Sequence, residues 1–304
     1  MRFIVIIVIA AFSATACAQA GAGYPPRMPG ATEVAYKTVG GAKLNLWVFN
    51  PEGHKQADSR PAIVFFFGGG WQSGSPAQFE PQCRYLASRG MVAITADYRV
   101  ASRQNAKPVQ CIADAKSAIR HVRSHAKEMG IDPKRIAAGG GSAGGHLAGA
   151  IATVPGFDET GEDTAVTCVP DALVLFNPAL VLAPFGGKDF GGFGARVSPE
   201  RLGARGEDVS PVHHVKAGTP PAIIFHGKAD ATVPFITAEV FCSEMKKAGN
   251  RCELFGYEGQ PHGFFNLGRG GSAMFRATLS ETDKFLASLG WLGGAPTVDE
   301  FFKN

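Results

Sequence analysis

Apolar and polar positions follow two rhythms along the chain. TEVAYKTV and AKLNLWVFN flank Gly40-Gly41 and mix apolar with polar positions, which predicts an antiparallel hairpin. PAIVFFF (61–67) and MVAITADYR (91–99) are near-continuous apolar runs, the pattern of strands covered on both faces. A helical pattern fills 76–90 up to Gly90. A longer one fills 111–130, with Ile112, Ala115, Ile119 and Val122 on one face and Gly130 as stop. RIAAGGG (135–141), DALVLFN (171–177), PAIIFHG (221–227) and RCELFGYE (251–258) predict further strands. Helices fit at SAGGHLAGAIATV, at 234–248 and at 272–289. Strand and helix alternate from residue 61 onward, so the expected class is α/β, a mostly parallel doubly wound sheet behind the hairpin. Residues 183–215, with FGGKDFGGFG, break the rhythm and are expected to form a small cap-like insertion above the sheet. The expected organisation is one domain over 21–304, with a Pro/Gly-rich lead-in at 21–32.

The extreme N-terminus changes the setting. Arg2, the run FIVIIVIAAF and then SATACAQA have the charge, apolar and small-residue order of a secretory signal over residues 1–20, with cleavage after Ala18 or Ala20. The run is short for a membrane span. Cys17 raises lipoprotein anchoring as a lesser alternative, though no leucine stands three residues before it. A secreted or periplasmic chain folds where disulfides form. Cys242 and Cys252 flank a short turn and are the favoured pair, and Cys83 with Cys111 could make a second. All of them serving as buried apolar residues is the alternative. No Cys/His cluster has zinc spacing, so no metal is expected. A net charge of +4 without a dense Lys/Arg run argues against nucleic acid as a partner. Oligomeric state is not legible.

Candidate chemistry gathers at strand ends. Gly140-Gly141-Ser142-Ala143-Gly144 fits G-x-S-x-G between a strand and a helix, where a sharp turn lifts the serine clear of the sheet edge. The competing reading is a glycine-rich phosphate turn. A dinucleotide fingerprint would come earlier in the fold, however, and a P-loop lysine is missing. A nucleophilic serine needs a base and the base an orienter. Asp230 follows the strand at 221–227 and His262 follows the next, giving the order Ser142, Asp230, His262, each at a strand's C-terminal end. Asp97 beside Arg99 reads as a structural ion pair. Asp114 lies inside a helix, Asp132 in a turn, and His213 and His214 in a loop. His226 reads as a packing or loop-tying residue. His146, one turn past Ser142, could border the site. The backbone N–H groups of the glycine loop FFFGGGWQSG and of Ala143 are candidate donors to an oxyanion.

FGGGW, ADYR, DAKSAIRHVR, IDPKRIAAGGGSAGGHLA, HGKADATVPF and PHGFFN, in this order over about residues 34–292, resemble the α/β-hydrolase superfamily. Within it, the likeness is to bacterial acetyl/feruloyl-esterase-like and hormone-sensitive-lipase-like esterases. The resemblance implies Ser142 as nucleophile, His262 as base and then acid, Asp230 as its orienter, and Gly69, Gly70 and Ala143 as the oxyanion hole. Many relatives have histidine where this chain has Phe67, so the loop's support is expected to differ. No cofactor is implied. The expected substrate is a short-chain, acetyl-type ester, small or on a carbohydrate, with feruloyl esters as rivals. Trp71 either stacks on a sugar or aromatic ring or packs under the loop. Alternatives are a prolyl-oligopeptidase-like peptidase, for which no acidic pair to hold the substrate amine is evident, and a non-catalytic binding protein.

Overall fold

The computed structural model describes residues 23–190, 197–269 and 272–303. The expected signal segment and Cys17 lie outside these residues.

Eight strands form a single sheet in the order β1-β2-β4-β3-β5-β6-β7-β8. The hairpin is β1 (Thr32–Val39) and β2 (Ala42–Phe49), turning at Gly40-Gly41, and β2 runs antiparallel to β4 (Val92–Ala96). From there β3 (Arg60–Phe66), β5 (Ile131–Gly141), β6 (Ala172–Phe176), β7 (Ala222–Gly227) and β8 (Cys252–Tyr257) are all parallel. The α/β class and the antiparallel start are as the apolar pattern predicts.

The helices are α1 (Glu80–Ser88), α2 (Ala101–Gln104), α3 (Pro108–Ser124), α4 (Ala143–Thr153), α5 (Pro199–Leu202), α6 (Gly206–Val209), α7 (Phe235–Lys247), α8 (Ser272–Ser288) and α9 (Val298–Phe301). Alternate residues of each strand feed two cores. Val64, Phe66, Ile94 and Leu175 meet α3, α4 and α7 on one face, while Ile63, Phe65, Ala93 and Phe176 meet α1 and α8 on the other. With both faces covered, the central strands can be apolar throughout, which is why they read as runs.

Several boundaries differ from expectation. The helix expected over 111–130 is α3: it starts at Pro108, where proline fits the first helical position, and ends at Ser124. The helix expected over 76–90 opens as a 3-10 turn, Pro76–Phe79, capped by Ser75. Residues 183–215 hold α5, α6 and the 3-10 turn Pro211–His214, between β6 and β7; residues 191–196 of that segment lie outside the described set.

The cysteine expectations are corrected. Cys83 lies in the core under α1 and Cys111 in the core under α3, on opposite faces of the sheet, so no bridge between them can form. Cys242 and Cys252 are neighbours, but as free buried thiols, with Cys242 Sγ donating to the Cys252 carbonyl at 3.3 Å.

Asp97 does not pair with Arg99. Arg99 is bound by Asp114 at 2.8 Å and Glu159 at 2.7 Å, while Asp97 accepts the Tyr98 N–H at 2.8 Å and faces Arg103 at 3.5 Å. Arg99 is four residues closer in sequence, but the chain turns after β4 and directs it toward α3.

Candidate active site

Strand β5 ends in glycine because the next layer is too close for side chains. A Cβ on Gly144 would lie 2.0 Å from the Phe66 carbonyl oxygen, and one on Gly140 would lie 2.4 Å from Gly144 backbone. The turn between them forces Ser142 to φ 54°, ψ −116°. That conformation is strained for any residue with a side chain and is characteristic of an exposed nucleophile at a strand–helix turn. Ser142 occupies the N-cap position of α4, where serine normally caps the helix with its own oxygen. Here the side chain makes no cap bond and is left for other use.

That use is a hydrogen bond to His262. Ser142 Oγ is 3.0 Å from His262 Nε2, and His262 Nδ1 donates to Asp230 Oδ2 at 2.7 Å. Since Nδ1 carries the hydrogen toward the carboxylate, Nε2 is the acceptor and the serine O–H the donor. The structure thus brings the three sequence candidates into one chain of hydrogen bonds. The other oxygen of Asp230, Oδ1, takes the N–H groups of Thr232 and Val233 at 2.8 and 2.9 Å. Burial alone would raise the Asp230 carboxyl, but donation from His226, His262 and Val233 outweighs it and holds the group well below the usual carboxylate range. It is therefore an anion near neutral pH. Such an anion holds imidazole in one tautomer and favours its protonated form during proton transfer.

The His262 loop is locked to the serine turn by packing and polar bonds together. Phe265 lies so close that a Cβ on Gly141 would sit 2.5 Å from its ring. Phe265 also stacks on Phe176 at 4.7 Å. The Gly263 N–H donates to Asn177 Oδ1 at 3.1 Å. Gln78 joins this loop to the glycine loop: its Oε1 accepts the Gly68 N–H at 2.6 Å and its Nε2 donates to Asn266 Oδ1 at 2.9 Å.

The glycine loop itself is held by its carbonyls. The Phe67 oxygen accepts from Tyr98 Oη, that of Gly70 from Arg201, that of Trp71 from the Ala101 N–H, that of Gln72 from the Ser102 N–H, and that of Gly74 from Arg103. With the carbonyls drawn outward, the N–H groups of Gly69, Gly70 and Ala143 make no hydrogen bond among the described residues. Free, fixed N–H groups beside a serine hydroxyl are what an oxyanion requires. Phe67 stacks on Tyr98 with ring centroids 4.1 Å apart and supports the loop by packing.

Two expected neighbours of the substrate are placed otherwise. Trp71 and His146 are both buried, at 4% and 0% exposure. Trp71 Nε1 donates to His146 Nδ1 at 3.2 Å, and His146 Nε2 donates to the Val209 carbonyl at 2.8 Å. Trp71 therefore packs under the loop and offers no open face for stacking. His146 ties the loop and α4 to the segment at α6. Burial lowers His146 from the ordinary 6.5 to about 4, so it is neutral near pH 7. His213 and His214 bond to the carbonyls of Pro184 and Glu207, as loop-tying residues do.

Sequence reading missed Asn177, Gln78, Tyr98 and Arg201. Only Asn177-Pro178, directly after a strand, carried a local signal for a constrained turn. No group of three His, Cys, Asp or Glu among the described residues is arranged to hold a metal ion.

The eight-stranded sheet, the strained serine turn and the Ser–His–Asp chain define an α/β hydrolase of the esterase type. Comparison with known proteins places it further. Residues 46–245 match the BD-FAE family, and the chain belongs to that family. Among solved structures, the apo form of Thermogutta terrifontis esterase 2 is 55% identical, covering 90% of this chain and 99% of the other, with a TM-score of 0.85. The same esterase with propionate bound is 54% identical over the same shares, also with a TM-score of 0.85. Among curated proteins, the probable carboxylic ester hydrolase LipM of Mycobacterium tuberculosis is 30% identical over 75% of this chain and 54% of its own length. An acetylxylan esterase of Xylanibacter ruminicola is 29% identical over 85% of this chain and 50% of its own length. The chain thus spans about half the length of the curated relatives it matches.

Proposed function

We propose that this protein is a secreted serine carboxylesterase acting on short-chain, acetyl-type esters through an acyl-enzyme on Ser142. The observation that carries the proposal is the continuous Ser142–His262–Asp230 chain of hydrogen bonds beside three unengaged N–H groups. In the first half-reaction Ser142 Oγ bonds to the ester carbonyl carbon as its proton passes to His262 Nε2. The carbonyl oxygen becomes an oxyanion held by the N–H groups of Gly69, Gly70 and Ala143. The imidazolium, paired with the Asp230 anion, returns the proton to the departing alcohol oxygen as the C–O bond breaks. In the second half, water gives a proton to His262, its oxygen adds to the acyl carbon, and collapse returns the proton to Ser142 Oγ and frees the acid.

Short acyl groups are favoured because the related Thermogutta esterase was solved with propionate and with butyrate. The acetylxylan esterase among the relatives supports acetylated polysaccharide as one natural target. Export rests on the signal-like residues 1–20, ahead of a single hydrolase domain over 21–304 with its insertion at 183–215. No helix among the described residues is long and apolar enough to cross a membrane.

Wild type and Ser142→Ala compared on 4-nitrophenyl esters of increasing acyl length, with aminoacyl nitroanilides alongside, test the reading. Hydrolysis fastest at acetyl to butyryl and reduced by roughly 10⁴-fold or more in the variant is the expected result. Cleavage of the anilides alone would favour a peptidase, and turnover unchanged in Ser142→Ala would sink the mechanism.

A further inference from the structure

We infer that His226 is a positioning residue that acts through Asp230: it donates to the same carboxylate oxygen that holds His262, and so sets how strongly that carboxylate draws the His262 proton. This rests on the triad reading given above.

Asp230 Oδ2 has two imidazoles on it. His262 Nδ1 is at 2.7 Å and His226 Nε2 at 3.3 Å. His226 Nε2 is also 2.9 Å from the Val233 carbonyl oxygen. Both of its neighbours are acceptors, so Nε2 bears the hydrogen; Val233 is its nearer acceptor and the Asp230 oxygen the more distant second one. Asp230 and His226 side chains are wholly buried, whereas His262 is 23% exposed. The arrangement is therefore asymmetric. One histidine faces the serine and solvent; the other lies behind the carboxylate, out of reach of substrate.

The placement follows from the chain. His226 is the penultimate residue of β7, and the turn Lys228–Pro234 carries Asp230 back over the strand end. The bond to Val233 fixes the far end of that turn, and the ring stands edge-on to Phe235 with centroids 5.7 Å apart. His226 Nδ1 has no hydrogen-bond partner among the described residues, so Nε2 alone ties the ring to its polar surroundings. A buried polar atom left in this way costs stability. A phenylalanine would avoid that cost but would leave the Val233 carbonyl and the rear of the Asp230 carboxylate without their donor, so apolar packing alone does not account for the imidazole.

Few other charges bear on the pair. β8 presents Gly256 opposite His226, β6 presents Asn177 beyond the Phe176–Phe225 pairing, and α7 presents Phe235. Lys228 crosses Gly256 and lies over the Phe235 ring, but Glu258 pairs with it at 2.5 Å. Asp230 and His262 are the ionisable groups in direct line.

The consequence has a definite sign. A carboxylate that already accepts a hydrogen bond from behind carries less charge to offer in front. Without the His226 donor, more of that charge falls on His262, whose protonated form becomes easier to make. A protonated His262 cannot accept the serine proton. The acid limb of activity then moves to higher pH.

The test is the pH profile of kcat/KM on 4-nitrophenyl acetate for wild type, His226→Gln, His226→Asn and His226→Phe. Glutamine places an N–H where Nε2 stood; asparagine and phenylalanine do not. The expected result is a wild-type acid limb for glutamine and a limb moved up by about half to one pH unit for asparagine and phenylalanine. The low-field proton resonance of the His262–Asp230 hydrogen bond should move in the same two variants only. Should the phenylalanine chain fail to fold, the glutamine–asparagine pair decides the matter alone. An unmoved limb in all folded variants, or the same loss at every pH, overturns the inference and leaves His226 a purely structural residue. Asp230→Asn separates the two levels. If it keeps wild-type turnover, the triad reading itself fails; if it is inactive while the His226 variants show no shift, only the role of His226 fails.

Discussion

Acid sensitivity should be written into His146. The ring is fully buried, donates from Nε2 to Val209 and accepts from Trp71 on Nδ1, so it has no lone pair left for a second proton. Burial lowers it from 6.5 to about 4. In the unfolded chain the same histidine titrates near its ordinary value. Between those two values the unfolded chain binds the proton and the folded chain does not, so stability falls as pH drops through this window. Taking pH 7.0 to 4.5, linkage gives a loss of roughly 2 kcal/mol from this one ring. His121, lowered to about 4 by burial and by His125, titrates in the same window, so wild type alone cannot isolate the contribution. The comparison is therefore with His146→Gln, by urea unfolding at both pH values. Glutamine does not titrate, and it disturbs the Trp71 N–H, a cost of about 1–3 kcal/mol at pH 7.0. At pH 4.5 that deficit should vanish or reverse. A deficit of equal size at both pH values would refute the reasoning, because the proton would then not be excluded from the folded ring.

Two further predictions concern the glycine loop and the acid behind it. Gly69 sits at φ +129°, and a Cβ there would lie 2.1 Å from the Ser73 carbonyl oxygen, so Gly69→Ala should displace an N–H donor and lower kcat by roughly 10²–10³ with a smaller effect on KM; a wild-type kcat would remove Gly69 from the oxyanion hole. Burial raises Asp97 to about 6, despite Tyr24, Arg103 and the Tyr98 N–H. The folded chain thus keeps that proton to higher pH than the unfolded chain, and wild type loses stability from this group as pH rises from about 4 to 6. Asp97→Asn keeps the acceptor for the Tyr98 N–H and should be more stable than wild type at pH 7 by up to about 2–3 kcal/mol, measured by urea midpoint; a destabilised variant would show that the Arg103 contact outweighs burial.

The central strands were legible because each carries an apolar run covered on both faces, with glycine or proline near one end. The boundaries of α3 were not, since Pro108 could as easily end a segment as begin one, and helical spacing continues past Ser124. The short α2 and α9 have too few residues to show a period. Ser142, Asp230 and His262 stood out because each follows a strand in a run of turn-forming residues, so that topology alone gathers them at one sheet edge. Trp71 and His146 were ambiguous for the opposite reason: each lies next to a motif, and only the fold turns them inward toward one another. Gln78 was invisible in sequence. Its bond to Asn266 spans 188 residues, and neither side chain is unusual where it stands. His226 read as a packing residue because nothing in HGKAD says which way the turn will fold back.

The glycine loop between Phe67 and Gly74 is anchored in part by Ala101 and Ser102, which bind it through main-chain N–H groups alone. Any residue but proline can supply such a group. The path of the chain after β4 is therefore what must be inherited, while the side chains at 101 and 102 are free to drift. A designer has the same latitude. Positions 101 and 102 are places where surface charge or a label can be introduced behind the glycine loop, with the main-chain N–H groups that anchor it left in place.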